Sequence, residues 1–199
     1  MTNFTRKPAS SKLHIVPVRL HRSDRVALLA HFTALDVEDR RLRFGIPLKE
    51  WALEGYVGRI EFEDDDVFAV QDEALRIVAA VHVARVGDAA ELGLSVLPGY
   101  RGMGLGTALF ERAVMRVRTR GLRSVYVHCL AENEAMMHIA RKLGMEIVRA
   151  GGETDARLKL PAVDVQTQWF EWLRDLQANA VQVVRQQARL SRALLGIFG

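Results

Sequence analysis

The sequence predicts a mixed α/β domain, a central sheet with helices on both faces, followed by a long C-terminal helix. Three observations carry this expectation. Apolar periodicity switches repeatedly between two and 3.6 along residues 13–160. An apolar strand pattern (Leu92, Leu94, Val96) runs through a glycine-rich stretch straight into a helical pattern. From Gln166 onward no strand signal remains, and a heptad seam takes over.

The elements follow in order. Residues 1–12 are polar and read as a mobile leader. Residues 14–20 alternate well enough for a first strand. Ser23 or Asp24 can cap a helix reaching about Leu35, with Val26, Leu28, Leu29 and Phe32 as its apolar members. Asp36 can cap a short second helix bearing Arg40, Arg41, Arg43 and Phe44, which Gly45 stops. Pro47 is placed to open a third helix over residues 48–60. The acidic run at residues 61–66 reads as a solvated turn. Residues 67–70 and 75–85 are β-rich and form a hairpin, and after a Gly87-Asp88 turn residues 90–97 form the next strand.

Residues 104–120 carry apolar residues at Leu105, Ala108, Leu109, Ala113, Val114 and Val117, which is helical spacing ended by Gly121. A strand follows at residues 124–130, then a helix at 133–143 stopped by Gly144. Two closing strands, 145–149 and 157–160, flank a Gly151-Gly152 turn. In the tail, Trp169, Leu176, Val183, Leu190 and Ile197 fall at sevens, with Leu173, Ala180, Gln187 and Leu194 between them. A helix of about 30 residues is about 45 Å long, so part of this seam is expected to seek a partner, and homodimerisation is the favoured use.

Composition bounds the function. The chain has 199 residues and a net charge of +4, too small and too dispersed to argue for nucleic-acid binding alone. A single cysteine, Cys129, excludes an internal disulfide and fits a reducing, cytoplasmic setting; it reads as a small core residue. No run approaches the roughly 18 apolar residues needed to span a membrane. In the tail, Trp169, Phe170, Trp172 and several arginines suit a lipid surface, but Glu171 and Asp175 leave little basic excess, so membrane binding ranks last.

The stretch Arg101-Gly102-Met103-Gly104-Leu105-Gly106-Thr107 lies between a strand and a helix. Three glycines at alternate positions leave backbone N–H groups uncovered at the positive end of a helix, a site suited to phosphate. A Walker loop is excluded because no Lys-Ser/Thr pair follows Gly106. The dinucleotide fingerprint has different glycine spacing and belongs near the start of a βαβ unit. What remains is an R/Q-x-x-G-x-G/A loop after a Val-rich strand, met by Arg101, Gly104 and Gly106, with Val96 upstream.

At these residues the sequence resembles the GNAT N-acetyltransferase superfamily, over about residues 13–160. Asn133, with Ala135, Ile139 and Lys142-Leu143-Gly144-Met145, resembles the family's second coenzyme A segment, N-x-x-A-x-x-x-Y-x-K-x-G-F. Asp39-Arg40-Arg41-Leu42-Arg43-Phe44 also resembles a short stretch in the acetyltransferase domains of bacterial protein-lysine acetyltransferases. The resemblance implies a mostly antiparallel sheet and acetyl-CoA as cosubstrate, with no metal. It implies that the loop, from Arg101 through Gly102, Met103, Gly104, Leu105 and Gly106 to Thr107, cradles the pyrophosphate. Leu94, Ser95 and Val96 would pair through their backbone with the pantetheine arm, in an opening between the fourth and fifth strands. Asn133 would contact the pantetheine, cap its helix, or do both.

Acyl transfer to an amine needs a base for the ammonium, donors for the tetrahedral oxyanion and an acid for the departing thiolate. Direct attack on the thioester requires no enzyme nucleophile. By the same resemblance Glu91, in Ala90-Glu91-Leu92-Gly93-Leu94-Ser95-Val96, is the candidate base, with His82 and Glu132 as alternatives. The family's acid is usually a tyrosine seven positions after the asparagine, and here that position is Ala140. The departure leaves two readings open: an N-acetyltransferase acting on a small amine or a protein lysine, or a coenzyme-A-binding regulatory module without turnover. Arg40, Arg41 and Arg43 read most simply as a solvated helix face, or else as contacts to an acidic acceptor or to phosphate.

Overall fold

Residues 15–161 are described by the computed structural model. In chain order they form β1 (Val18–Arg19), α1 (Arg25–Thr33), α2 (Val37–Phe44), α3 (Glu50–Arg59), β2 (Asp66–Gln71), β3 (Ile77–Val86), β4 (Ala89–Val96), α4 (Leu105–Thr119), β5 (Ser124–Leu130), α5 (Glu134–Lys142), β6 (Glu146–Ala150) and β7 (Glu153–Lys159). The strands make one sheet in the order β1-β2-β3-β4-β5-β7-β6. Every pairing is antiparallel except that of β4 with β5. The mostly antiparallel mixed sheet is therefore as expected. The leader and the heptad tail lie outside the described residues.

Alternation along the central strands feeds two cores. On one face Phe68, Val81, Leu92 and Val125 pack with Leu105, Leu109 and Phe110 of α4 and Met137 and Ala140 of α5. On the other, Val67, Ala69 and Ala80 pack with Leu28 and Phe32 of α1 and Leu53 and Val57 of α3. Cys129 is buried in the first core, as expected, and burial together with the charge of Asp155 pushes its thiol up, away from nucleophilic use.

The parallel pair matters most for the site. Only Ala89, Ala90 and Glu91 of β4 pair with Ser124, Val125 and Tyr126 of β5. Beyond Glu91 the two strands separate, while β4 stays paired with β3 as far as Val96. One edge of β4 from Leu92 onward thus carries backbone groups with no neighbouring strand.

Several boundaries differ from the sequence reading, each for a physical reason. β1 is two residues long; Pro17 cannot donate to the ladder and holds the strand to a short edge segment. Pro47 does not open α3. It sits in a tight turn closed by Leu48 N–H to the Ile46 carbonyl at 2.9 Å, and the helix starts at Glu50 after Lys49. β7 begins at Glu153, four residues earlier than expected, because its alternating exposed residues are charged and the inward face there is only Thr154 and Ala156, with the apolar Leu158 coming later.

The acidic run forms the expected turn, with Glu61, Glu63 and Asp64 exposed, but its last residue is a correction. Asp66 belongs to β2 and its side chain is fully buried. It is paired with Arg19 at 2.7 Å, Arg116 at 3.1 Å and Arg120 at 3.0 Å. A buried carboxylate is tolerated only with such compensation. Asp65 is also engaged, with His82, as described below.

Candidate functional site

Two cavities open along the separated edge of β4, one toward each end of the strand. The first, about 510 Å³, lies at the glycine loop. Gly104 caps α4 in the left-handed conformation (φ 80°), and Gly102 is left-handed as well (φ 74°), which a side chain would strain. A Cβ built on either glycine meets nothing within 4 Å, so both present bare backbone to open space. Gly106 works the other way. A Cβ there would stand 3.0 Å from Ile139 and 3.3 Å from Leu94, so its absence lets α4 approach β4 and α5 closely. Leu105, Gly106 and Thr107 open α4, and their N–H groups have no carbonyl one turn back. With the helix dipole, this end is a preformed anion cradle.

Residues 94–96, Arg101, Gly102, Gly104, Leu105, Gly106, Thr107 and Asn133 all line this cavity. Met103 does not; it is exposed outside it. The guanidinium of Arg101 is bound to the Asp39 carboxylate of α2. Ser95 is buried, and its hydroxyl donates to His31 Nε2 at 2.8 Å while His31 Nδ1 donates to the Ile77 carbonyl at 3.0 Å. Burial, partly offset by that backbone bond, lowers the His31 pKa to about 4, so the ring is neutral and fixes the floor beneath β4. Asn133 caps α5, accepting from Met136 N–H at 3.0 Å, and donates to the Leu42 carbonyl at 3.2 Å. It therefore ties α5 to α2 as well as lining both cavities.

The second cavity, about 410 Å³, lies over the same face of β3 and β4 as Glu91 and His82. Glu91 is exposed, and Tyr126 O–H donates to its Oε2 at 3.3 Å. Glu132 lines neither cavity; it is paired with Arg41. Ala140 is fully buried in the core and faces neither cavity, so the position where the family carries its tyrosine acid offers no group here. His138, two residues earlier, does line the loop cavity.

The α2 arginines are not a solvated face. Arg40 donates to the carbonyls of Leu35, Leu48 and Thr33 at 3.0, 3.2 and 2.7 Å and fastens the loops around α2. Arg41 pairs with Glu38 and Glu132. Arg43 lies where the two cavities meet and lines both. Its guanidinium rests on Gly93, where a Cβ would come within 2.1–2.4 Å of it. It stands 4.7 Å from the Phe44 ring centre and 5.7 Å from that of Tyr56. Tyr56, on α3, lines the second cavity and was not singled out by the sequence; on a helix it reads as one more apolar-face residue.

Comparison with known proteins agrees with this geometry. The acetyltransferase (GNAT) family model matches residues 32–145. The chain belongs to the GNAT acetyltransferase family. It is thus an acyltransferase of a family that uses acetyl-CoA. The fold is shared with the GNAT domain of S. lividans PAT, at 21% identity and TM-score 0.64, over 72% of this chain and 89% of that one. It is shared with the Escherichia coli ribosomal-protein-S18-alanine N-acetyltransferase, at 20% identity and TM-score 0.55, over 75% and 95%. A phosphinothricin acetyltransferase from Sinorhizobium meliloti, solved in complex with AcCoA, matches at 16% identity and TM-score 0.58, over 73% and 88%. Among the described residues, no group suited to a metal occurs, and no helix is long and apolar enough to cross a membrane.

Proposed function

We propose that this GNAT chain transfers an acetyl group from acetyl-CoA to a primary amine by direct attack on the thioester. The observation that carries the reading is the pair of cavities meeting at one separated strand edge, one with an anion cradle and one lined by the exposed Glu91 carboxylate. The bare backbone at Gly102 and Gly104 fits a pyrophosphate, and the unpaired edge of β4 at residues 92–96 fits the amides of a pantetheine arm. Acetyl-CoA, when bound, supplies the activated acyl group and a good leaving group.

The roles of the residues follow. N–H groups of residues 102–107, with Thr107 Oγ1, hold phosphate, and Arg101, kept in place by Asp39, adds guanidinium N–H donors at the rim. Leu94, Ser95 and Val96 orient the arm through their backbone, and Asn133 closes it from α5. Glu91 Oε2 takes the proton of the acceptor ammonium, directly or through one water. The acceptor is a small amine or a protein lysine, and a cytoplasmic setting follows from the cosubstrate. The leader (1–12), the acetyltransferase domain (13–160) and the C-terminal extension (161–199) are proposed as the chain's three parts, with the last as a dimerisation helix.

A thiol-release assay against a panel of polyamines, amino acids, aminoglycosides and lysine peptides tests this. At least one acceptor class should support turnover, and Glu91→Gln should lower kcat by about 100-fold with acetyl-CoA affinity kept. Release of thiol that is equal in Glu91→Gln would remove Glu91 from the chemistry.

A further inference from the structure

A continuous chain of polar side chains crosses the wall of the second cavity. Arg43 Nη2 donates to Tyr56 Oη at 2.8 Å. Tyr56 Oη lies 2.7 Å from His82 Nδ1, and His82 Nε2 lies 3.1 Å from Asp65 Oδ2. The carboxylate accepts, so His82 carries a proton on Nε2. In the neutral ring Nδ1 is then an acceptor, and the Tyr56 hydroxyl donates to it. The links come from four separate elements, α2, α3, β3 and the turn before β2, and three of them line the cavity that holds Glu91. The side chains of His82 and Asp65 are only 10% and 18% exposed, so the pair is shielded.

This chain has two states. With His82 neutral, the Tyr56 oxygen faces the cavity as an acceptor. With His82 protonated, both ring nitrogens donate, one to Asp65 and one to Tyr56, and the Tyr56 hydroxyl proton is free to point into the cavity. Arg43 beside the oxygen favours any phenolate character that develops. A group that accepts in one state and donates in the next is what acyl transfer lacks here, because Ala140 removes the family's usual acid.

We propose that Tyr56 is the proton-transfer residue of the acceptor cavity, with His82, Asp65 and Arg43 as its positioning residues. The proposal rests on the acyl-transfer reading above. Glu91 takes the first proton, from the ammonium. Once the C–N bond has formed, Tyr56 Oη takes a proton from the now positive nitrogen while its own hydroxyl proton moves to His82 Nδ1. As the C–S bond breaks, that proton returns from His82 to Tyr56, and the Tyr56 hydroxyl proton passes to the departing sulfur. The relay ends as it began, Glu91 gives its proton to water, and the net release is one proton per turnover.

Asp65 is suited to the supporting role. Burial pushes its carboxyl up, but the hydrogen bond and charge of His82 and the backbone N–H of Arg85 more than offset this and hold it below the usual carboxylate range. It therefore stays ionised opposite the imidazolium that forms. Tyr56 (α3) and Asp65 contact this ring, and Arg43 (α2), Glu91 (β4), His128 and Cys129 (β5) and Glu153 (β7) are the other charged and titratable groups lining the cavity.

The test uses the full chain and the variants Tyr56→Phe and Asp65→Asn, with two readouts. In kinetics, Tyr56→Phe should lower kcat on the order of 100-fold and leave acetyl-CoA affinity unchanged by calorimetry. Asp65→Asn should lower kcat less and displace the pH profile of kcat. In the unliganded protein, the 15N resonance of His82 Nδ1 should mark a hydrogen-bond acceptor and should shift in Tyr56→Phe. A Tyr56→Phe variant with kcat within twofold of wild type overturns the proposal, as does a His82 ring protonated on Nδ1 rather than Nε2 at neutral pH. A wild-type protein that turns over no acceptor overturns both this role and the acyl-transfer reading. Normal turnover by Tyr56→Phe beside an inactive Glu91→Gln overturns the relay alone.

Discussion

The two cavities on the β4 edge are built by opposite means. The loop cavity is made of backbone. Its defining residues are glycines, its donors are N–H groups, and its shape depends on side chains being absent at Gly102, Gly104 and Gly106. The second cavity is made of side chains that converge from distant segments: Arg43, Tyr56, His82 and Glu91. A backbone site can hold an invariant ligand such as a pyrophosphate, and local sequence writes it. A side-chain site can be rebuilt for another acceptor without touching the loop, and only the tertiary fold assembles it.

The contrast can be broken from either side. The largest effect is expected at Gly106. Gly106→Val adds atoms where a Cβ already meets Ile139 at 3.0 Å and Leu94 at 3.3 Å. Overpacking of this kind costs about 1–3 kcal/mol in a urea denaturation curve. Because the loop itself is displaced, acetyl-CoA affinity should also fall by about 100-fold or more, equivalent to about 3 kcal/mol.

Next comes the shared floor. His31 is buried neutral beneath Ser95, with a pKa lowered to about 4. The unfolded chain binds a proton at this residue below pH 6.5 and the folded chain does not until about pH 4. The stability it contributes is therefore present above pH 6.5 and lost as the pH falls toward 4, at most about 3 kcal/mol. His31→Gln should flatten the pH dependence of the urea midpoint in that window, and an unaltered slope would show that the burial of this ring is not what sets it.

Gly93→Ala probes the second cavity with the smallest change. Its Cβ would displace the Arg43 guanidinium, now 2.1–2.4 Å from that position. Because Arg43 borders both cavities, acetyl-CoA affinity should fall slightly, while kcat/KM for the acceptor falls by about tenfold, the loss of one well-placed polar contact. Equal losses for cosubstrate and acceptor would mean that the two cavities are not separable in this way.

The same difference explains what was legible in the sequence. The element order, the glycine loop and Asn133 are local patterns, and the structure places them as read. Glu91 and His82 were visible as candidates on neighbouring strands, and the cavity brings them together. Tyr56 and Asp65 were not visible. Tyr56 gains its meaning only from His82, 26 residues away, and Asp65 from the same ring, 17 residues away. The end of the acidic run misled because charge density predicts solvation, whereas Asp66 is buried among three arginines: Arg19 of β1, Arg116 of α4 and Arg120, which caps that helix. The α2 arginines misled for the same reason: their partners are carbonyls, carboxylates and aromatic rings outside the local sequence.

In the proposed reaction bare backbone at the glycine loop holds acetyl-CoA. Calorimetric titration of acetyl-CoA into the wild-type chain, Gly104→Glu and Gly106→Glu tests it most directly. At Gly104, where a Cβ meets open space, a carboxylate adds like-charge repulsion against the pyrophosphate, and at Gly106 the side chain is driven against Ile139 and Leu94 and displaces the loop, so affinity should fall by about 100-fold in both variants. Unchanged binding in both would contradict the claim and move the cosubstrate away from residues 101–107.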